Sequence, residues 1–146
     1  MTLTTLEALT RHWNAACEGS LYPERTGDRA LVSMILADGL VQNGGVVHAL
    51  EVLGPEIRDA IRSFLWFGLV DFADLLEAAA ADSPLVDDAD IANRQRLFED
   101  VSECRSAELD ARYGELSARY DLFGVFAARF QCDAASFSEA SQLGNG

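Results

Sequence analysis

The chain of 146 residues contains no lysine: its eleven basic residues are all arginines, against 24 aspartates and glutamates. It has only three cysteines, an odd number without close spacing, which argues against a disulfide-stapled scaffold. Three prolines and eleven glycines exclude collagen-like and low-complexity chains. Hydrophobic residues make up 49% of the chain, which is enough to build a core, so one folded domain is expected.

Signals for export or membrane insertion are also missing. Residues 1–7 carry neither a basic nor an apolar signal region. The nearly apolar stretches at 30–37 and 64–70 are far shorter than the ~20 residues that cross a bilayer. A cytoplasmic protein with reduced thiols is therefore expected.

Helical periodicity recurs along most of the chain, and the strict alternation of a β-strand is almost absent. It predicts helices near residues 5–17, 29–42, 46–53, 55–68, 71–79 and 91–104, with Asp28 as the N-cap of the second. A seam of 3.5-residue period then runs over residues 109–130 as one helix or two. The prediction is a single all-α bundle of six or seven helices over residues 1–133, with a frayed tail at 134–146.

The same recurrence predicts which side chains are buried. The expected core set is Leu31, Ile35, Leu40, Ile61, Phe64, Leu65, Phe72, Leu76, Leu109, Tyr113, Leu116 and Phe123. The cysteines, with no redox or metal spacing, are predicted to be small buried hydrophobes. An aromatic left outside its helix stripe, such as Trp66 or Phe67, would suggest an apolar contact patch or a homodimer interface.

The acidic charge is concentrated in one segment. Residues 71–110 carry a net charge of −9, against −3 for residues 1–70 and −1 for residues 111–146. The twelve acids of this segment are Asp71, Asp74, Glu77, Asp82, Asp87, Asp88, Asp90, Glu99, Asp100, Glu103, Glu108 and Asp110. They predict a surface that binds a basic partner, and the plainer alternative is a solvated face with helix caps. The total of −13 argues against direct binding to nucleic acid or anionic membrane.

A search for catalytic groups finds little. His48 and Glu51 share a face of a short helix, but no HExxH, CxxC or ExxH motif completes a metal site. No GxSxG elbow and no phosphate-binding glycine loop is present. No catalytic residue, metal or cofactor is therefore predicted, although a metal-dependent or small-molecule enzyme around His48 stays an alternative.

The run Asn43-Gly44-Gly45 follows an apolar helix and is predicted to end it. One of the two glycines, Gly44 or Gly45, is expected to have a positive φ, because the chain must turn abruptly at the margin of the core. The same run, extended as Leu40-Val41-Gln42-Asn43-Gly44-Gly45-Val46-Val47-His48, resembles a motif of the bacterial DNA-mimic proteins, an acidic helical family. In that family a Gln usually follows the second Gly by three residues, and here His48 has that place.

A second resemblance to this family lies near the C-terminal end. Leu109-Asp110-Ala111-Arg112-Tyr113 is similar to its Leu-Asp-x-x-Tyr signature, and the likeness spans about residues 28–130. The motif positions are Asn43, Gly44, Gly45, His48, Leu109, Asp110 and Tyr113. The resemblance implies a non-enzymatic protein that binds a DNA-binding regulator through an acidic surface and so prevents the regulator from binding DNA. An immunity or antidote protein that neutralises a toxin or nuclease is the alternative from another class.

Overall fold

The computed structural model describes residues 3–82, 84–99, 101 and 103–139, and helices account for most of them. These residues contain eight α-helices: α1 (Leu3–Glu18), α2 (Thr26–Gly44), α3 (Val46–Leu53), α4 (Ile57–Trp66), α5 (Val70–Ala81), α6 (Ile91–Phe98), α7 (Glu103–Arg119) and α8 (Leu122–Cys132). Short 3-10 turns lie at Gly54–Glu56, Pro84–Asp87 and Ala134–Ser136. No strand occurs in this part of the chain, so the all-α prediction is confirmed.

The seam predicted over residues 109–130 is two helices, α7 and α8. The helical hydrogen bonds of α7 end with Tyr120 N donating to Leu116 O. Asp121 then has an extended backbone, with φ −88° and ψ 106°. Its carbonyl accepts a hydrogen bond from Val125 N in the first turn of α8. The change of direction at Asp121 lets α7 pack on α5 while α8 packs on α1.

Helix α2 lies at the centre of the bundle, in contact with α1, α3 and α4. Its apolar side chains on all sides predict this position. Leu31, Met34 and Ala37 are buried on it, while Leu36 is half exposed. None of the described helices is long and apolar enough to span a membrane.

The predicted core set is largely confirmed. Leu31, Phe64, Phe72, Leu76, Leu109, Tyr113 and Leu116 are buried, and Ile35, Leu40, Ile61 and Phe123 are partly buried against the core. The prediction was wrong for Leu65, which is 47% exposed. The buried face of α4 runs through Ile57, Ala60 and Phe64 to Phe67, and one helical step of about 100° turns Leu65 away from it.

The prediction that the cysteines are buried was wrong, since Cys17, Cys104 and Cys132 are all exposed. Each lies at a helix end: Cys17 is the penultimate residue of α1, Cys104 the second of α7 and Cys132 the last of α8. At these three helix ends the thiol lies at the surface, so the absence of a motif around a cysteine did not predict its burial.

Asp28 is not the N-cap of α2, as the sequence suggested. The helix begins at Thr26 with Arg25 as its N-cap, so Asp28 is already inside the first turn. Its side chain is fully buried, where Oδ2 accepts a hydrogen bond from Ser138 N at 2.9 Å and Oδ1 one from His12 Nε2 at 2.8 Å. A buried carboxylate must be hydrogen-bonded, which explains why α1 and the C-terminal segment converge on it.

Part of the segment that was predicted to fray packs on the core. Phe137 is 1% exposed and its ring contacts the rings of Phe126, Phe130 and Trp66. Residues 134–139 therefore belong with the helices, because one aromatic side chain and the hydrogen bonds to Asp28 hold them. The remainder of the predicted tail, 140–146, lies outside the described residues.

Candidate partner-binding surface

Eleven of the twelve acids of residues 71–110 lie in the described part of the chain: on α5, in the connection between α5 and α6 with its 3-10 turn, directly after α6, and in the first half of α7. Helices α5 and α7 pack against each other in opposite directions, because Asp71 reaches Arg119 while Asp82 reaches Arg105. The carboxylates fall into three groups, defined by the atoms that each contacts. Asp100 alone among the twelve lies outside the described residues.

Four of the acids are paired with arginines. Asp82 Oδ2 lies 2.7 Å from Arg105 Nη2, and Glu108 lies 3.3 Å from Nη1 of the same arginine. Asp71 lies 3.7 Å from Arg119 Nη1. The fourth pair is Asp87 with Arg58, whose guanidinium hydrogen bond lowers the pKa of the Asp87 carboxyl from its usual value. Exposed pairs of this kind contribute little stability, but they reduce the net negative charge of the surface locally.

Three further acids hold the backbone in place. Asp88 Oδ1 accepts a hydrogen bond from Asp90 N at 2.9 Å, and Asp90 Oδ1 accepts one from Ala92 N at 2.9 Å, at the start of α6. Asp110 Oδ1 accepts one from Val46 N at 2.8 Å, at the start of α3. In these positions the carboxylates satisfy N–H groups that a turn or a helix start would otherwise leave unbonded.

The remaining four described acids, Asp74, Glu77, Glu99 and Glu103, are exposed and form no ion pair with any described arginine. We call them the four unpaired acids. Asp74 and Glu77 lie one turn apart on the outer side of α5, while Glu103 is the first residue of α7 and Glu99 directly follows α6. Their charge is available to a basic partner, because no arginine in the described part of the chain pairs with them.

The Asn-Gly-Gly motif ends α2, as predicted. The helix closes at Gly44, and Gly45 has φ +94° and donates from its N–H to Val41 O at 2.7 Å. A Cβ at Gly45 would lie 2.9 Å from Asp110 Oδ2, so only glycine allows this carboxylate to reach the start of α3. The two resembling motifs, distant in sequence, therefore meet at the hydrogen bond from Val46 N to Asp110.

The other positions of the C-terminal motif are structural as well. Leu109 and Tyr113 are each 2% exposed, one turn apart on the inner face of α7. The Tyr113 hydroxyl donates to Asp38 Oδ1 at 2.7 Å, and its ring packs edge-on against Phe72 with centroids 5.2 Å apart. Burial first, and then the neighbouring Asp38, raise the pKa of Tyr113 far above its ordinary value.

His48 lies on α3, close to the end of α2. Its ring lies beside Gly44, where a Cβ would come within 2.6 Å of it. The pKa of Glu51, one turn further on, is raised. Partial burial is the largest cause, the charge of His48 opposes it, and the charge of Glu99 adds to it. No group of three metal-ligating side chains is found among the described residues.

A shallow polar groove of about 460 Å³ lies over the meeting point of the two motifs. Its lining includes Asn43, Gly44, Asp110, Tyr113 and Ser117. Asn43 is exposed at its rim. The groove thus results from the way α2 ends beside α7.

Sequence reasoning missed several residues that hold this surface together. Arg94 is 4% exposed on α6, and Asp38 of α2 accepts the hydroxyl hydrogen of Tyr113. Tyr113 lies 75 residues from Asp38, and Glu51 and Val52 lie 43 and 42 residues from Arg94, so local spacing contains no signal for these contacts. The polar residues within otherwise apolar helix faces, such as His12 and Asp28, were the only local indication of buried pairs.

Comparison with known proteins places most of this structure in one family. Residues 25–131, which include α2 to α7 and nearly all of α8, match the model of the DMP19-like protein family. No curated protein and no solved structure matches the chain. The match includes both motifs and all twelve acids of residues 71–110, whereas α1 and the C-terminal segment with Phe137 lie beyond it.

Proposed function

Since the chain belongs to the DMP19-like protein family, we propose that it is a non-enzymatic DNA mimic that occupies the basic, nucleic-acid-binding surface of a partner protein. A DNA-binding regulator in the cytoplasm is the partner whose chemistry fits best. The observation that carries the proposal is the set of four unpaired acids on α5 and at the junction of α6 and α7.

The proposal follows from how the charges of the chain are distributed. Among the described residues five arginines pair with acids, including Arg58, Arg105 and Arg119, and the acids of the full sequence outnumber its arginines by thirteen. Asp74 and Glu77, three residues apart on α5, repel each other slightly, by a few tenths of a kcal/mol. A basic groove shaped to accept phosphates relieves that repulsion, and the field of the acids speeds the encounter.

A pull-down from the native host at two salt concentrations tests the proposal. The Debye length falls from about 30 Å at 0.01 M salt to about 8 Å at 0.15 M, so capture of a basic protein should weaken over that interval. Capture that is equally strong at both concentrations would contradict an electrostatic interaction.

Competition with DNA distinguishes mimicry from simple adhesion. The captured protein should release a labelled DNA duplex when this chain is added, because both ligands need the same basic surface. If the captured protein is a toxin or nuclease whose activity is blocked without displacement of DNA, the antidote interpretation replaces the DNA mimic.

A further inference from the structure

Helix α3 is held at both ends by charged side chains from two other helices. At its start, Asp110 of α7 accepts the hydrogen bond from Val46 N. At its end, Arg94 of α6 donates from Nε to Glu51 O at 2.9 Å and from Nη2 to Val52 O at 3.3 Å. A carboxylate at a helix start and a guanidinium at a helix end both match the helix dipole.

Arg94 has an unusual environment for an arginine. It is only 4% exposed, and the acceptors that it reaches are the carbonyls of Glu51, Val52 and Asp88. No carboxylate among the described side chains pairs with it. A buried guanidinium is costly unless its donors are bonded. Arg94 therefore depends on the carbonyls at the end of α3, which have no partner within that helix.

Backbone geometry admits both side chains. Gly54 has φ +54°, and a Cβ there would lie 2.5 Å from the guanidinium carbon of Arg94. Gly45 gives the same access to Asp110 at the opposite end of α3. Each end of α3 thus has a glycine that leaves room for one charged side chain from a neighbouring helix.

We propose that Arg94 and Asp110 are positioning residues for the partner-binding surface: they fix α6 and α7 on α3 and thereby the places of Glu99 and Glu103. This inference rests on the proposed function for its consequence, but the positioning itself does not need a partner. Glu103 precedes Asp110 by seven residues, so two helical turns separate them and both project from the same side of α7. Glu99 directly follows the helix that carries Arg94, and its charge acts on Glu51 of α3.

A fixed array of charges binds more tightly than a loose one, because the ordering cost is met during folding. The sign of the effect at Arg94 separates this idea from simple electrostatics. Removal of an arginine makes the chain more negative, so charge alone predicts equal or stronger attraction to a basic partner. Positioning predicts weaker binding.

Arg96 provides the matched control. It lies on α6 two residues after Arg94, is exposed, and among the described residues donates only to Asn93 Oδ1 of its own helix, at 3.3 Å. Arg94→Gln and Arg96→Gln change the net charge equally, and only the first removes the contacts with α3.

Amide hydrogen exchange on the full chain tests the positioning directly. In Arg94→Gln, amides of α6 should exchange at least roughly tenfold faster, while those of α2 keep their protection. Arg96→Gln should leave α6 unchanged. Equal exchange of α6 in the two variants would overturn the proposal, whatever the chain binds.

Binding of a labelled arginine-rich peptide is the second readout. The peptide should bind Arg94→Gln at least roughly threefold more weakly than Arg96→Gln, since a loosened array is competent only part of the time. Equal affinity for the two variants, with α6 loosened, would overturn the link to binding. If wild type does not bind the peptide at all, the proposed function fails while the exchange result still decides the positioning.

Asp110 offers an independent route if Arg94→Gln does not fold. Asp110→Ala should increase amide exchange at the start of α3, whereas Asp110→Asn, which keeps an oxygen acceptor for Val46 N, should do so less. Glu115→Ala removes a carboxylate from the same helix at an exposed position and is the charge control. The proposal is overturned if Asp110→Ala and Glu115→Ala have the same exchange pattern.

Discussion

His12 and Asp28 form a buried pair that joins the first two helices, with Nε2 of the ring 2.8 Å from Oδ1 of the carboxylate and side chains 2% and 0% exposed. The other carboxylate oxygen accepts hydrogen bonds from the amide and hydroxyl of Ser138. His12 and Ser138 lie outside the residues that match the family, and Asp28 lies within them. One carboxylate thus connects both ends of the described chain to the family domain.

Replacement of Asp28 by alanine should therefore be severe. It removes the acceptor for three donor groups and leaves the buried donors of His12 and Ser138 unsatisfied. We expect the free energy of unfolding to fall by about 3–5 kcal/mol, as for other broken buried pairs. Urea denaturation measures it, with Ser138→Ala as the milder companion at about 1 kcal/mol. A loss for Asp28→Ala no larger than that for Ser138→Ala would show that the pair does not hold the chain ends.

At the Asn-Gly-Gly motif, Gly45→Val should destabilise the protein by more than ~1 kcal/mol, because φ +94° is strained for valine. The added side chain would also meet the Asp110 carboxylate, with a Cβ 2.9 Å from Oδ2. Gly39→Ala, inside the helix that Gly45 caps, is the control: nothing lies near its Cβ position, so it should raise stability by roughly 0.5–1 kcal/mol. Thermal unfolding of both variants checks the contrast, and a neutral Gly45→Val would leave the motif without a structural role.

Tyr113 gives a prediction for alkaline pH. Its pKa is raised in the folded protein by burial and by Asp38, so above about pH 10, the ordinary value, the unfolded chain loses this proton first. The contribution of Tyr113 to stability should consequently be fully present below about pH 10 and be lost as the pH rises further. Denaturation midpoints measured from about pH 9 to about pH 11 should decline less steeply in Tyr113→Phe. Tyr22→Phe, at a side chain 74% exposed, should behave as wild type.

The helices and the motif stop were predictable because their signals are local. Apolar recurrence at Phe72 and Leu76, or a glycine pair after an apolar helix, depends on residues within a few turns. The role of Asp28 was not predictable, because its partners lie 16 and 110 residues away and a cap was the nearest local explanation. The acids show the same division: composition revealed their concentration, but only the folded chain shows which ones arginines neutralise.

The exposure of the cysteines leads to a chemical prediction. In the folded protein all three thiols should react with a disulfide reagent without denaturant. Cys17 should react more slowly than Cys104 and Cys132, because partial burial and the adjacent Glu18 raise its pKa and the thiolate is the reactive form. Mass spectrometry of labelled peptides at several times gives the order. Protection of all three until urea is added would contradict their surface positions.

Charge reversal at the unpaired acids is the most direct prediction for binding. Asp74→Lys with Glu77→Lys should slow association with a captured partner by roughly tenfold or more at low salt, and Glu99→Lys with Glu103→Lys should do likewise, because the steering field is weakened where it is needed.

Glu7→Lys with Glu18→Lys changes the net charge equally at exposed sites on α1 and should slow association much less. Asp71 and Asp90 are poor test sites, since Asp71 pairs with Arg119 and Asp90 bonds the start of α6. Association rates measured at low and physiological salt decide the matter: equal slowing by all three double variants would show that total charge, and not this surface, governs the encounter.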